Sequence, residues 1–359
     1  MKIAIDVSQI VYGTGVSVYT KGLVENILRL DDKNQYILFG GSLRRIDELK
    51  DFFRSLKGNF VSKVYPLPPT LADIIWNRMH ILPIESLLGK VDVFHSSDWS
   101  QPPTNALKIT TVHDLFSIKY PKLTNPKVAA TQLRRLRRVL KEVDWVIVPS
   151  QTTREDLKTL GFERNISVIP EAPDPIYKPS TKLEIQRVKR KYQIIGDYLI
   201  SVGVNQRKNT PRIISAFEKV RPGLDLKLVI VGQPFMKLEP TRGVKMLGHV
   251  DIADLPPLYS GAMALVFPSL YEGFGFPILQ AFCCSLPVVT SNLGTMKEIG
   301  QGAAILVDPE DTNSIAEGVK TAIKERESLV KKGHERLKNY NWRQVAEETI
   351  KIYNKVGKY

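Results

Sequence analysis

Short apolar runs alternate with longer stretches of helical period along most of the chain. Lys2–Val7, Tyr36–Phe39, Val61–Tyr65, Val91–His95, Ile109–Val112, Trp145–Val148 and Ile166–Ile169 are too short for helices and rich in branched residues, which marks them as strands. Helical patterns separate most of them; the first follows the turn Gly13-Thr14-Gly15 and runs through Leu30. This alternation predicts a largely parallel sheet with helices on both faces, a doubly wound α/β domain. The pattern stops at Pro170–Pro179, PEAPDPIYKP, whose four prolines resist helix and strand interiors and read as a linker. After a short basic helix the strands resume at Tyr198–Val202, Leu226–Val231, Val244–Leu247, Ala264–Phe267, Val288–Thr290 and Ala304–Val307, a second α/β domain. The last stretch places Trp342, Val345, Ala346, Thr349, Ile350 and Tyr353 on one helical face behind an Asn341 cap, and that face is expected to dock on the first domain. The expected division is therefore 1–172, 173–340 and a final helix within 341–359.

Open α/β sheets bind ligands at the carboxyl ends of their strands, so the residues there carry the chemistry. Three runs of the first domain end in polar residues: His95 in FHSSDW, His113-Asp114 in TTVHDL and Ser150 in VIVPS. His95 reads as structural, whereas His113 is followed by an acid and a loop where the pattern breaks. The stretch FPSLYEGFGFPILQA, Phe267 to Ala281, reads as a strand end, a glycine-bearing turn and a helix opening at Pro277. Gly273 and Gly275 lie just ahead of that helix, where N–H groups and the helix dipole favour an anion. Glu272 would repel an anion and is better explained as an acceptor for hydroxyl groups; hydroxyls joined to a phosphate suggest a sugar nucleotide. Gly203 followed by Arg207-Lys208-Asn209 at another strand mouth, before a helix from Pro211, suits a diphosphate: a planar fork and a point charge that offset the negative charge growing on a departing nucleotide. Gly248-His249-Val250 ends a third strand, where the backbone is placed to hold the edge of a base.

In this order the segments resemble the retaining glycosyltransferases of the GT-B fold, in particular family four (glycosyl transferases group 1), and the resemblance runs from Gly13 to Trp342. Phe267–Ala281 is similar to that family's E-x7-E segment, Gly203 to Asn209 to its diphosphate loop, Gly13-Thr14-Gly15 to its N-terminal glycine loop and His113-Asp114 to its HD pair. The resemblance implies two Rossmann-like domains facing a cleft, with the C-terminal helix crossing back to the first. It also implies a retaining, metal-independent transfer from a nucleotide-diphosphate sugar, GDP- or UDP-linked, with no further cofactor. His113, Arg207, Lys208 and Glu272 would be catalytic; Gly13, Gly15, Gly203, Asn209, His249, Val250, Ser269, Gly273, Phe274, Gly275, Phe276 and Gln280 would line the donor. The loops after His113 and around Ser96–Trp99 resemble those of mannosyl- and rhamnosyl-transferring relatives, which tilts the expected donor toward GDP-mannose. Gln280 departs from the pattern, standing where the family has its second Glu, and a carboxamide offers one acceptor oxygen where a carboxylate offers two. Glu171-Ala172-Pro173-Asp174 also departs from the family's common Asn-Gly-x-Asp. An active transferase in cell-surface glycan assembly and a non-catalytic sugar-nucleotide-binding protein of the same fold both remain open. An epimerase would need more acid–base carboxylates than the chain nominates.

Composition narrows the partners. The 359 residues are 43% hydrophobic and 25% charged, values of a soluble globular protein, and the formal net charge is +14. No Asp-x-Asp pair offers to hold a metal ion against phosphates. No zinc-finger or RNP-type signature accompanies the charge, so nucleic acid is not an expected partner. The densest basic patch, Arg134, Arg135, Arg137, Arg138 and Lys141 around Leu133, Leu136, Leu140 and Val143, reads either as a solvated helix face or as a surface for anionic lipid. A lipid-linked or soluble glycan acceptor follows accordingly. The N-terminus MKIAIDVSQIVYG lacks a signal-peptide apolar region and no run is long enough to span a bilayer, so the chain is expected in the cytoplasm, on or near the inner membrane face. Cys283 and Cys284, adjacent on an apolar helix, read as small core residues rather than a disulfide.

Overall fold

The computed structural model describes every residue except Arg164, Leu224, Lys358 and Tyr359. The chain forms two compact units: Met1–Ala172 together with Asn341–Tyr359, and Pro173–Tyr340. In the first, seven parallel strands, β1 (Lys2–Asp6), β2 (Gln35–Gly41), β3 (Phe60–Tyr65), β4 (Val93–Ser96), β5 (Leu107–Thr111), β6 (Trp145–Val148) and β7 (Asn165–Val168), lie in the order β3-β2-β1-β4-β5-β6-β7. The second holds β8 (Asp197–Val204), β9 (Leu226–Pro234), β10 (Val244–Gly248), β11 (Leu265–Phe267), β12 (Val288–Ser291) and β13 (Ile305–Val307) in the order β10-β9-β8-β11-β12-β13. The order reverses beside β1 in one sheet and beside β8 in the other, the position at which such sheets open a crevice.

Alternation along β1 shows how each sheet is covered. Ile3 and Ile5 join a core formed with helix Gly15–Leu30 and the C-terminal helix, while Ala4 faces the opposite layer with Phe39, Trp76, Ile84 and Phe94. Both faces are apolar, so the strands read as near-continuous hydrophobic runs. The C-terminal helix, Trp342–Val356, begins at Asn341, whose side chain accepts from the Gln344 N–H. It buries Trp342, Val345, Ala346, Thr349, Ile352, Tyr353 and Val356 against the first unit, with the expected Ile350 half-buried at the edge of the same core. The proline-rich stretch is not a free linker. Glu171 and Ala172 are buried in the first unit, and Tyr177 stands edge-on to Tyr259 in the core of the second.

The basic helix, Pro126–Glu142, departs from the expectation of an open cationic face. Arg135 is only 2% exposed; its guanidinium pairs with Asp98 at 3.2 Å and donates to Thr110 Oγ1 and to the Thr111 carbonyl. Arg134 is drawn to Asp73 at 2.6 Å, and Arg138 reaches the carbonyls of Asn77 and Arg78. Carbonyls and acids on the neighbouring elements thus hold three of the four arginines; Arg137 and Lys141 have exposed side chains. Cys283 and Cys284 carry free thiols, which burial pushes up to about 11 and about 12, so both stay protonated.

Gly22 lies where helix Gly15–Leu30 meets the C-terminal helix, and a Cβ there would overlap the Trp342 ring. Alanine in place of a mid-helix glycine normally gains about 1 kcal/mol. Overpacking a closed contact costs about 1–3 kcal/mol, so the steric effect prevails. Gly22→Ala should lower the melting temperature, and a rise on thermal denaturation would contradict this close packing.

Candidate active site

At the end of β8 the chain turns through Gly203, whose φ of +90° suits glycine. A Cβ at this position would meet the Lys208 stem at 2.8 Å. Glycine is thus required so that Lys208 can fold back across the strand end. Its ammonium sits 4.5 Å from the centre of the Phe267 ring and 2.6 Å from Glu272 Oε1, while Arg207 Nη1 holds Oε2 at 2.9 Å. Glu272 is 7% exposed, more enclosed than the open turn its sequence suggests. Burial alone would push its carboxyl up; Lys208 and Arg207 outweigh that and hold it below the usual carboxylate range. The buried Ser269 hydroxyl also favours the charged form, although it makes no hydrogen bond of good geometry. The outcome is an ionised carboxylate between two cations at the mouth of a parallel sheet.

The surrounding residues shape this cluster. Asn209, in the left-handed region at φ +62°, caps helix Thr210–Val220. It does not face a ligand as expected: it is 2% exposed and its amide N–H groups donate to the carbonyls of Pro268 and Pro309, while its oxygen accepts from Arg212. It therefore ties the cation loop to the loops after β11 and β13. Gly275, at φ +111°, caps helix Phe276–Cys283, which opens with Pro277. Phe274 packs edge-on against Phe276 and Tyr340, and Gly273 accepts from Thr295 through its carbonyl, so this turn is held from both sides. The half-buried Gln280 accepts from the Tyr259 hydroxyl at 3.1 Å, which fixes its amide plane. His249 is exposed and Val250 buried after a bulge at Gly248.

In the first unit, β5 delivers His113 to a second buried pair. Its Nδ1 meets Glu171 Oε1 at 2.7 Å, with side-chain exposures of 11% and 3%. Burial depresses the imidazolium, but the Glu171 carboxylate, helped by Asp98, raises His113 above its ordinary value. The ring is braced: Tyr19 stands edge-on at 4.7 Å, and its hydroxyl lies 3.2 Å from Thr111 Oγ1. His95 links Thr111 Oγ1 at 3.0 Å to the Tyr353 hydroxyl at 2.7 Å, and burial pulls its pKa down to about 3, so it is neutral and structural. Because Glu171 engages Nδ1, chemistry toward a ligand passes through Nε2. Gly13, left-handed at φ +66°, and Gly15, the first residue of its helix, lie in an exposed turn. Ser150 caps helix Gln151–Thr159 instead of facing a ligand.

Three participants escaped the sequence. Glu171 sits in a stretch that reads as linker. Arg135 sits in a helix that reads as surface, yet it holds the Thr111 carbonyl two residues from His113. Asp6 ends β1 buried, hydrogen-bonded to Ser8, with its carboxyl raised by burial. An acid closing the strand at the point where the sheet order reverses was the available signal.

Two family models match the chain: Glycosyltransferase Family 4 over residues 13–175, and Glycosyl transferases group 1 over residues 196–325. The O-antigen chain mannosyltransferase B of Escherichia coli is 26% identical over 281 residues, 73% of this chain and 74% of the relative. Sucrose-phosphate synthase from Thermosynechococcus elongatus superposes with a TM-score of 0.75 at 18% identity, over 99% of both chains. Anabaena Alr3699/HepE in complex with UDP-glucose gives a TM-score of 0.72 at 15% identity, covering 99% of this chain and 100% of that one. At these identities the solved structures speak to the fold.

The His113–Glu171 contact has a defined pH signature. A histidine whose pKa is raised on folding adds stability that is full below its unfolded value of about 6.5 and is lost as pH rises through the folded value. The melting temperature of the native chain should exceed that of Glu171→Gln most at acid-neutral pH, with the gap closing as pH rises. A gap that does not change with pH would show that the contact carries no proton.

Proposed function

Because this chain belongs to glycosyltransferase family 4, the group 1 glycosyl transferases, we propose that it moves a hexose from a nucleoside-diphosphate sugar to a glycan or lipid-linked hydroxyl, with retention of anomeric configuration and without a metal ion. The observation that carries this reading is Glu272 held ionised by Lys208 and Arg207. A buried carboxylate accepts hydrogen bonds from sugar hydroxyls, and the two cations beside it meet the diphosphate. As the bond from the anomeric carbon to the diphosphate breaks, negative charge grows on the departing oxygen, and preorganised cations stabilise it without solvent reorganisation.

Within the first unit His113, its ring oriented by Glu171, keeps Nε2 to offer a hydrogen bond to a hydroxyl-bearing ligand. The name of the Escherichia coli relative, a mannosyltransferase for O-antigen chains, supports mannose as the sugar and cell-surface polysaccharide as the product. The same reading favours a lipid-linked acceptor at an anionic membrane face. Gln280, with its oxygen taken by Tyr259, presents its amide N–H groups to the ribose and so binds it with neutral hydrogen bonds.

Calorimetric titration without added metal should show binding of a nucleoside diphosphate or its sugar conjugate, GDP-mannose first among those tried. Arg207→Ala with Lys208→Ala should abolish it; unchanged affinity would remove the diphosphate assignment. The product's anomeric proton coupling should match that of the donor, and a chelator should leave the rate unaltered. Gln280→Glu exchanges neutral for charge-assisted hydrogen bonds, a difference of about 1 kcal/mol, so donor affinity should rise about 5-fold. A fall would show that Gln280 is not at the ribose.

A further inference from the structure

The stretch after β3 forms a helical turn, Pro69–Ala72, that continues as a π-helical turn, Asp73–Met79. π-Helical turns of this kind concentrate at functional sites. It ends with two non-glycine residues in the left-handed region, His80 at φ +54° and Leu82 at φ +61°. Backbone held in such conformations is over-determined by its surroundings and is typical of functional segments. The segment also displays apolar side chains to solvent: Leu71, Ile74, Met79, Ile81 and Leu82 are each at least 40% exposed. Isolated exposed apolar residues need no explanation, but five within twelve positions form a patch that does.

The acids of this region are buried or half-buried, and each is paired or hydrogen-bonded. Asp73 is 8% exposed at its side chain and paired with Arg134 and Arg78. Glu142 pairs with His80 and Lys108. No exposed residue between 66 and 90 is acidic, and residues 115–141 contain no Asp or Glu at all. Helix Pro126–Glu142 lies against the π-helical turn through Arg134 and Arg138, and its next stripe, Leu133, Arg137 and Lys141, is exposed beside it. What faces solvent is therefore apolar side chains flanked by Arg78, Arg137 and Lys141. Among the described residues no helix is long and apolar enough to cross a membrane.

We propose that this face is a docking surface for an anionic lipid bilayer, with Ile74, Met79, Ile81 and Leu82 entering the headgroup–acyl boundary and Arg78, Arg137 and Lys141 meeting lipid phosphates. Apolar insertion together with a rim richer in cations than in exposed acids is the chemistry of an interfacial anchor. A second copy of the chain fits worse, because a self-complementary contact would set the same three cations against one another. The choice of a membrane rests in part on the lipid-linked acceptor proposed above, whereas the composition of the surface does not.

The test is co-sedimentation of the full chain with vesicles of phosphatidylcholine alone or mixed with phosphatidylglycerol. Binding should appear with the anionic mixture and weaken with salt. Each cation neutralised in Arg78→Gln, Arg137→Gln and Lys141→Gln should cost about 5-fold, the triple variant about 100-fold. Ile74→Ser with Met79→Ser should reduce binding at any salt concentration, with melting temperature and nucleotide affinity unchanged. Equal vesicle binding by both variants, or none by the native chain while it still binds nucleotide, would overturn the proposal. So would a dimer in light scattering that the Ile74/Met79 variant alone dissolves. Vesicle binding by a chain that binds no nucleotide would leave the surface standing and remove the transferase reading.

Discussion

Parallel strands covered on both faces leave polar chemistry almost no place except their carboxyl ends. In the first sheet Ile3 and Ala4, adjacent in sequence, are buried in opposite layers, and in the second Ile200 and Leu199 likewise separate into two cores. A charged side chain within either layer would be desolvated without a partner, at a cost of several kcal/mol. Asp6, His95, His113, Lys208 and Glu272 accordingly lie at or just beyond strand ends, and each has a hydrogen-bond or ionic partner. The fold thereby gathers its ionisable groups without dedicating any element to them.

The two central acids answer burial differently. Glu272 has two cations within hydrogen-bond reach, so attraction exceeds desolvation and it stays charged. Among the described residues His113 is the close partner of Glu171; burial raises the Glu171 carboxyl, while Glu171 in turn raises the imidazolium against the effect of burial. One site holds a fixed charge. The other holds a proton shared between two groups, which suits orienting a ring more than fixing an anion. The proximity of Arg135 and Asp98 adds opposing influences on His113, so its behaviour is set by residues on three different elements.

Much of this was legible from the chain because strands of a covered parallel sheet announce themselves as unbroken apolar runs. The turn at Glu272 and the loop at Arg207-Lys208 were legible because glycine and charge beside a helix start have few other uses. Helical periodicity, by contrast, assigned Arg135 to the wet side. It has no means of knowing that Asp98 and the end of β5 lie beneath that side chain. Glu171 was hidden for a similar reason: prolines mark where regular structure stops but do not say whether the irregular chain is buried. Asn209 looked like a ligand-facing amide, and only the carbonyls of Pro268 and Pro309, 59 and 100 residues away, reveal it as a staple.

The helix Trp342–Val356 contributes Trp342, Val345, Ala346, Ile352, Tyr353 and Val356 to the same core as Ile3, Leu23 and Val93. During synthesis those early residues leave the ribosome long before the side chains that cover them. The first unit must wait, its groove uncovered, while the whole of Pro173–Tyr340 is made. The later-coded unit is self-contained in sequence and can close first. The order in which the chain is read and the order in which its halves become complete are thus opposite. In the interval, Tyr19 and the core residues beside it lack the Trp342 ring that later packs against them.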